Sequence, residues 1–281
     1  MADYSAKDVA ALRKATGAGM MDCKNALEAT SGDIEAAKEW LRTKGLAGAS
    51  KREGRAASQG TVDVVVDGNV GAIVELNCET DFVAKGDDFK NVVADLTKLV
   101  AKEGDSGLAD KTYNGEKVSD AITQLGARLG EKVELGRVVR FETSDGLLDA
   151  YKHNQNERGV IGVLVELGGV DASDAKAREI AHDVALHVAS AAPRYVTRDE
   201  VPADALDKER AVLEELTRNE GKPEDKIPMI VEGRLKGFYQ DYVLTEQAFV
   251  RDPKTTIGKL LGSLGKSATI RRFARVKIGE E

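Results

Sequence analysis

Gly71-Ala72-Ile73-Val74-Glu75-Leu76 returns at an offset of 91 as Gly162-Val163-Leu164-Val165-Glu166-Leu167. Downstream, Val92, Asp95, Leu96, Val100 and Ala101 match Ile180, Asp183, Val184, Val188 and Ala189 at an offset of 88. Further on, Leu129, Gly130, Leu135, Arg137 and Arg140 match Leu264, Gly265, Ile270, Arg272 and Arg275 at an offset of 135. An internal repeat outweighs any single propensity. Within the first copy, Gly60 to Asp67 and Val70 to Asn77 are Val/Ile-rich runs joined through Gly68-Asn69, which is hairpin chemistry. Phe89, Val92, Val93, Leu96 and Val100 then recur at helical steps, as do Val118, Ile122, Leu125 and Leu129, before a strand from Leu135 to Glu142. The repeat predicts an α+β core made of two copies of hairpin, helix, helix, strand.

The jump in offset from 88 to 135 means that the second copy holds 47 extra residues between its two helices. This insertion reads as helical on both sides of the turn cluster Asn219-Glu220-Gly221-Lys222-Pro223. Leu206, Leu213 and Leu216 before the turn face Ile227, Ile230, Val231 and Leu235 after it. The spacing predicts a projecting antiparallel helical hairpin whose apolar stripe either closes on itself or pairs with another chain. Pro228 interrupts the second helix unless that helix begins there.

Upstream of the core, each apolar cluster of the first 45 residues follows a cap residue and precedes a glycine. Ser5 with Asp8 opens a helix burying Val9 and Leu12, and Gly17 ends it. A second helix carries Cys23, Ala26 and Leu27; Asp33 caps a third, with Ile34, Ala37, Trp40 and Leu41, that stops at Gly45. The expected divisions are a three-helix module (1–46), a basic linker (47–59) with Lys51, Arg52 and Arg55, core subdomain one (60–143), the first part of subdomain two (144–192), the inserted hairpin (193–240) and the second part of subdomain two (241–281).

Composition narrows the function. The chain is 42% hydrophobic over 281 residues, with 5 prolines and 28 glycines, as in a folded multi-part protein. With 48 acidic against 41 basic side chains its net charge is −7, unlike a dedicated phosphate-neutralising nucleic-acid binder. It lacks a run of about 18 apolar residues, and Met1-Ala2-Asp3-Tyr4-Ser5 resembles no signal or transit peptide, so a cytoplasmic location is expected. Cys23 and Cys78 read as small core residues in a reducing compartment.

Covalent catalysis finds no support. Gly262-Ser263-Leu264-Gly265-Lys266-Ser267 lacks the first glycine of a phosphate loop, since position 260 is leucine. His153, His182 and His187 lack metal-ligand spacing, and neither a nucleophile elbow nor a dinucleotide turn is present. The chain reads as a non-enzyme without cofactor or metal. Two segments remain odd. Gly17-Ala18-Gly19-Met20-Met21-Asp22 puts two thioethers in a turn, either as an adaptable contact surface or as a local staple on the second helix. In Cys78-Glu79-Thr80-Asp81-Phe82-Val83-Ala84, Thr80 or Asp81 is a helix cap with Phe82 in the core, or Phe82 is a wedge beside a carboxylate on a junction loop.

Here a family resemblance becomes specific. Leu12 to Lys24 and Asn77 to Ala84 resemble the two signature runs of the elongation factor Ts family. Arg158 to Val165, His187-Val188-Ala189, Val231 to Leu235 and Gln247 to Val250 extend the likeness over nearly the whole chain. The resemblance implies a ubiquitin-associated-like N-terminal module, a two-part α+β core and an inserted coiled-coil hairpin. It also implies exchange of GDP on the translational GTPase elongation factor Tu. Arg13, Met20 and Met21 would dock on that partner, Thr80, Asp81, Phe82 and Val83 would intrude beside its Mg²⁺ and displace it, and His153 would touch it too. The sequence ends at Gly279-Glu280-Glu281, where some relatives append a further helix, so a smaller interface is expected. Two rivals remain: an RNA- or ribosome-associated binder using Lys51, Arg52, Arg55 and Arg271 to Arg275, and a self-assembling protein built on the hairpin.

Overall fold

The computed structural model describes residues 4–280, except the side chains of residues 46, 47 and 49–51, so Lys51 of the expected basic linker falls outside the described groups. The chain opens with helices α1 (Ala6–Thr16), α2 (Met20–Ala29) and α3 (Ile34–Arg52). Ser5 and Asp8 form a reciprocal capping box on α1, and Gly17, at φ 68°, ends it. Asp33 caps α3 by accepting from Ala36 N at 2.9 Å. Val9, Leu12, Cys23, Ala26, Leu27 and Ala37 make the small core of the three helices.

Next come β1 (Gln59–Asp67), β2 (Val70–Cys78), α4 (Asp81–Lys85) and α5 (Asp87–Glu103). A minimal hairpin, β3 (Thr112–Tyr113) with β4 (Glu116–Lys117), leads into α6 (Val118–Leu129) and β5 (Val133–Glu142). The second copy holds β6 (Leu147–Gln155), β7 (Arg158–Gly168) and α7 (Ala175–Ala191). The helical hairpin follows as α8 (Ala203–Asn219) and α9 (Ile227–Tyr242). The chain then returns through β8 (Ala248–Phe249), β9 (Asp252–Thr256), α10 (Ile257–Gly262) and β10 (Thr269–Lys277).

The repeat is visible as topology. One antiparallel sheet has the order β1-β2-β5 and the other the order β6-β7-β10, so the hairpin's second strand is central in both. Period-two alternation on the central strands sends Ala72, Val74, Leu76 and Cys78 against α5 and α6, and Val163, Val165 and Leu167 against α7 and α10. Ile73 and Leu164 face the other way, and with Val62, Phe141, Leu148 and Val276 they fill the space between the two sheets. The core is thus four layers, helices, sheet, sheet and helices. The sheets close on each other at two glycines: a Cβ on Gly71 would lie 2.9 Å from Leu164 Cδ2, and one on Gly162 would lie 2.7 Å from Val64 Cγ1 and 3.0 Å from Ile73 Cγ2.

Two local expectations change. α3 does not stop at Gly45 but runs on to Arg52, taking in the start of the expected linker. Gly45 is a crossing point rather than a cap, because a Cβ there would sit 2.5 Å from the Cβ of Ala127 on α6. In the hairpin, Ile227, Val231 and Leu235 close on Leu213 and Tyr239, but Leu216 is half-exposed and Thr217 is fully buried on α8, its hydroxyl donating to Leu213 O at 2.6 Å. Pro228 lies in the first turn of α9, where its missing N–H has no helical acceptor to lose. Arg210–Glu232 at 3.1 Å and Arg234–Glu220 at 2.6 Å tie the two helices together.

Candidate partner-binding site

The corner after β2 is built around two carboxylates. Glu131, just past α6, accepts from Glu79 N at 3.1 Å, Thr80 N at 2.9 Å and the Thr80 hydroxyl at 2.5 Å. Glu79 accepts from Lys132 N at 2.6 Å and pairs with Arg55 at 3.2 Å. Thr80 Oγ1 also caps α4, accepting from Val83 N at 3.4 Å. Thr80 is therefore the cap, but Phe82 does not enter the core: 84% of it is exposed, while Val83 is half-buried against subdomain one and Ala84 is buried.

A five-residue helix presenting a bare phenyl ring needs outside support, and the two carboxylates supply it through backbone donors at the corner. Asp81 pairs with Lys85 one turn on at 2.5 Å, and the same ammonium lies 5.9 Å from the centroid of the Phe82 ring. The Lys85 ammonium chiefly holds the Asp81 carboxyl below the usual aspartate range, against partial desolvation, with Arg158 adding at longer range. Cys78, buried at the end of β2, has its thiol pushed up to about 12 by desolvation and the Glu131 charge, so it is an unreactive packing group.

On the N-terminal helices, Met20 and Met21 open α2 at 53% and 63% exposure, and Arg13 is exposed near the end of α1. They do not staple α2 to its neighbours. The turn before them rests on the core, since a Cβ on Gly17 would lie 2.4 Å from Arg128 Cδ. Arg128 in turn pairs with Asp88 at 3.3 Å, in the first turn of α5 and just beyond α4. Arg128 thus links the turn before the methionines to the start of α5, which follows α4 directly in the chain.

His153 lies exposed near the end of β6, its Nδ1 3.3 Å from the Tyr151 hydroxyl. It lines a shallow cleft with Gln59, Arg158 and Lys277. Arg158 donates to Gly60 O at 2.6 Å and Gln59 Oε1 at 2.8 Å. Arg158 thus lines the His153 cleft, and its charge also acts on Asp81 at longer range.

Lys85, Glu131 and Arg158 were not singled out from the sequence. The Asp81 and Lys85 spacing carried a helical-pair signal, whereas Glu131 meets Thr80 only once α6 and β5 have packed. The basic patches are largely engaged: Arg55 by Glu79, Arg271 by Asp145 at 2.6 Å, Arg272 by Glu166 at 2.6 Å and Arg275 by Glu280 at 2.5 Å. Among the described residues no His, Cys, Asp and Glu group is arranged to hold a metal, and no helix is long and apolar enough to cross a membrane.

The family model described as Elongation factor TS matches residues 79–280, from the Phe82 corner through β10. The chain is 45% identical to an Elongation factor Ts from Micrococcus luteus, with 99% of this chain and 100% of the relative covered. It is also 45% identical to those of Rhodospirillum rubrum, covering 100% and 94% respectively, and Streptomyces coelicolor, covering 99% and 100%. Signature corner, sheet repeat and full-length likeness agree, and the chain belongs to the elongation factor Ts family.

Proposed function

We propose that this chain is a guanine nucleotide exchange factor for elongation factor Tu, acting in the elongation phase of protein synthesis in the cytoplasm and making or breaking no covalent bond itself. The observation that carries the reading is Phe82, a large apolar ring left 84% exposed on a corner stiffened by Glu79 and Glu131. Thr80, Asp81, Phe82 and Val83 form the segment that intrudes beside the partner's Mg²⁺ and dislocates it. Arg13, Met20 and Met21 dock on the partner, and His153 adds a contact beside Arg158.

Such exchange is coupling between two ligands of one protein. GDP is held by a phosphate-binding loop, a base pocket and Mg²⁺, so moving the metal and its neighbouring loop removes several contacts at once. Linkage makes the effect reciprocal: whatever factor the exchange factor weakens GDP by, GDP weakens the exchange factor by equally. Incoming nucleotide can therefore expel the factor. The hairpin, with Val212, Leu216 and Met229 exposed, offers a surface for a homodimer or a two-plus-two complex. The engaged basic patches favour this reading over the RNA-binding alternative.

The test is release of a fluorescent GDP analogue from purified elongation factor Tu, with catalytic amounts of the wild type and of an Asp81→Ala, Phe82→Ala double variant. Acceleration by orders of magnitude that the variant loses is the expected result. Equal rates with both proteins would remove the wedge, and no acceleration by the wild type would remove the function.

A further inference from the structure

We propose that Tyr151 is a positioning residue for His153, holding its ring in the orientation in which it meets the partner GTPase; this rests on the assignment of His153 to that interface. Asp149, Tyr151 and His153 alternate along β6 and so share one face of the second sheet. His182 of α7 packs over this row. Its Nδ1 lies 3.1 Å from Asp149 Oδ1, and its ring stands edge-on to Tyr151 at 6.0 Å between centroids and 72° between planes. The phenol, half-buried against the core of subdomain two, is thereby fixed at its base.

Its hydroxyl then reaches outward to His153 Nδ1 at 3.3 Å, with the rings 6.3 Å apart and tilted by 30°. With the Tyr151 O–H donating to Nδ1, the neutral imidazole carries its proton on Nε2, which faces away as a donor. An exposed side chain normally loses rotamer freedom on binding, and one already tethered loses less. Tyr151 therefore acts through His153 on how tightly the partner is held, with little effect on how far the nucleotide site is opened afterwards.

The full-length chain and its Tyr151→Phe, His153→Ala and doubly substituted forms are compared in GDP release over a range of factor concentrations, and relaxation of the His153 ring carbon is measured by NMR in the free wild type and Tyr151→Phe. Tyr151→Phe raises the half-saturating concentration by about three- to ten-fold, the size of one lost hydrogen bond, and leaves the maximal rate nearly unchanged. In the His153→Ala background the same change does nothing further, and the His153 ring becomes more mobile when the hydroxyl is removed. An equal effect of Tyr151→Phe with and without His153, or an unchanged ring mobility, would overturn the proposal. If the wild type fails to accelerate release at all, the exchange reading falls, and the ring measurement still decides whether Tyr151 holds His153.

Discussion

Glu75 and Glu166 occupy equivalent positions of the two copies, and each is a buried carboxylate, 3% exposed, held by an arginine of the last strand of its own sheet. Glu75 accepts from Arg137 N at 3.2 Å and Nε at 3.0 Å, while Glu166 meets Arg272 at 2.6 Å and Arg271 at 3.2 Å. The register of β2 against β5 shifts between Val74 and Leu76, and that of β10 against β7 between Ile270 and Arg272. A bulge beside each glutamate aims the arginine inward and, in the first copy, releases a backbone N–H to the carboxylate. The second copy engages two arginines where the first engages one.

Glu166→Ala leaves two guanidinium groups without their shared acceptor. Removing one partner of a fully buried pair costs about 3–5 kcal/mol; both arginines are over a third exposed, so about 2–3 kcal/mol is expected here, read as a lowered urea midpoint. Burial alone would raise the Glu166 carboxyl, but hydrogen bonds from Thr143, Arg272 and Arg271 outweigh it and hold the group below its ordinary 4.5. A depressed folded value gives stability that is complete above 4.5 and is lost as pH falls through the folded value. The gap between wild type and Glu166→Gln should therefore stay constant near neutral pH and narrow only below about pH 4.5.

The two sheet-contact glycines should differ in cost. An alanine at Gly162 meets Val64 and Ile73, β-branched side chains with little rotamer freedom, and overpacking of this kind costs about 1–3 kcal/mol. At Gly71 the nearest atom is the end of Leu164, which can turn aside, so the cost should stay below about 1 kcal/mol. Equal denaturation midpoints for Gly71→Ala and Gly162→Ala would contradict this.

Sequence alone made the repeat legible because the central strand of each sheet is buried on both faces, so a nearly continuous aliphatic run and its glycine recur together at Gly71 and Gly162. Cap chemistry was equally legible at Ser5, Asp8 and Asp33, where donor and acceptor lie three residues apart. Gly45 was misread, since a glycine that admits a crossing helix and one that ends a helix look alike until Ala127 is placed against it. Thr217 is buried although leucine periodicity favoured Leu216, because its hydroxyl bonds back to Leu213 O. The Phe82 corner was half legible: Thr80 as cap follows from local spacing, but the exposure of Phe82 depends on Glu131, fifty-one residues from Thr80.

Phe82→Ala should slow exchange severely and leave folding alone, because an exposed ring contributes little to the core. The denaturation midpoint should correspond to a change within about 0.5 kcal/mol. Lys85→Met should also leave stability nearly unchanged, as a surface pair one helical turn apart is worth about 0.3–0.5 kcal/mol. It would nevertheless slow exchange, since Asp81 and the Phe82 ring lose the cation they share, whereas Lys85→Arg should largely preserve the rate. Exchange by Lys85→Met at wild-type speed would show that the pairing has no part in presenting the corner.

His187, fully buried on α7, ties the root of the helical hairpin to subdomain two. Its Nδ1 accepts from Val250 N at 3.3 Å, so the proton sits on Nε2 and is donated to Gln247 Oε1 at 2.9 Å; Gln247 donates onward to Asp241 O at 2.8 Å, in the last turn of α9. Every polar atom of the neutral ring is satisfied, and a second proton would have to displace the Val250 amide. Burial pushes the imidazole below its ordinary 6.5, with the Gln247 bond pulling weakly the other way. The unfolded chain therefore takes up a proton as pH falls through 6.5 while the folded chain does not. Stability is full above 6.5 and declines from there toward the folded value, with a slope of at most about 1.4 kcal/mol per pH unit from this group. His187→Gln should be less stable than wild type at pH 8 by about 1–3 kcal/mol. Between pH 6.5 and 5 its stability should fall less steeply, so the two urea midpoints converge. Amide exchange at Val250 locates the effect: in the wild type it should slow less steeply with falling pH than the loss of base catalysis alone dictates, and parallel midpoints for the two proteins would mean that the folded ring takes up its proton as readily as the unfolded one and that the acid response lies elsewhere.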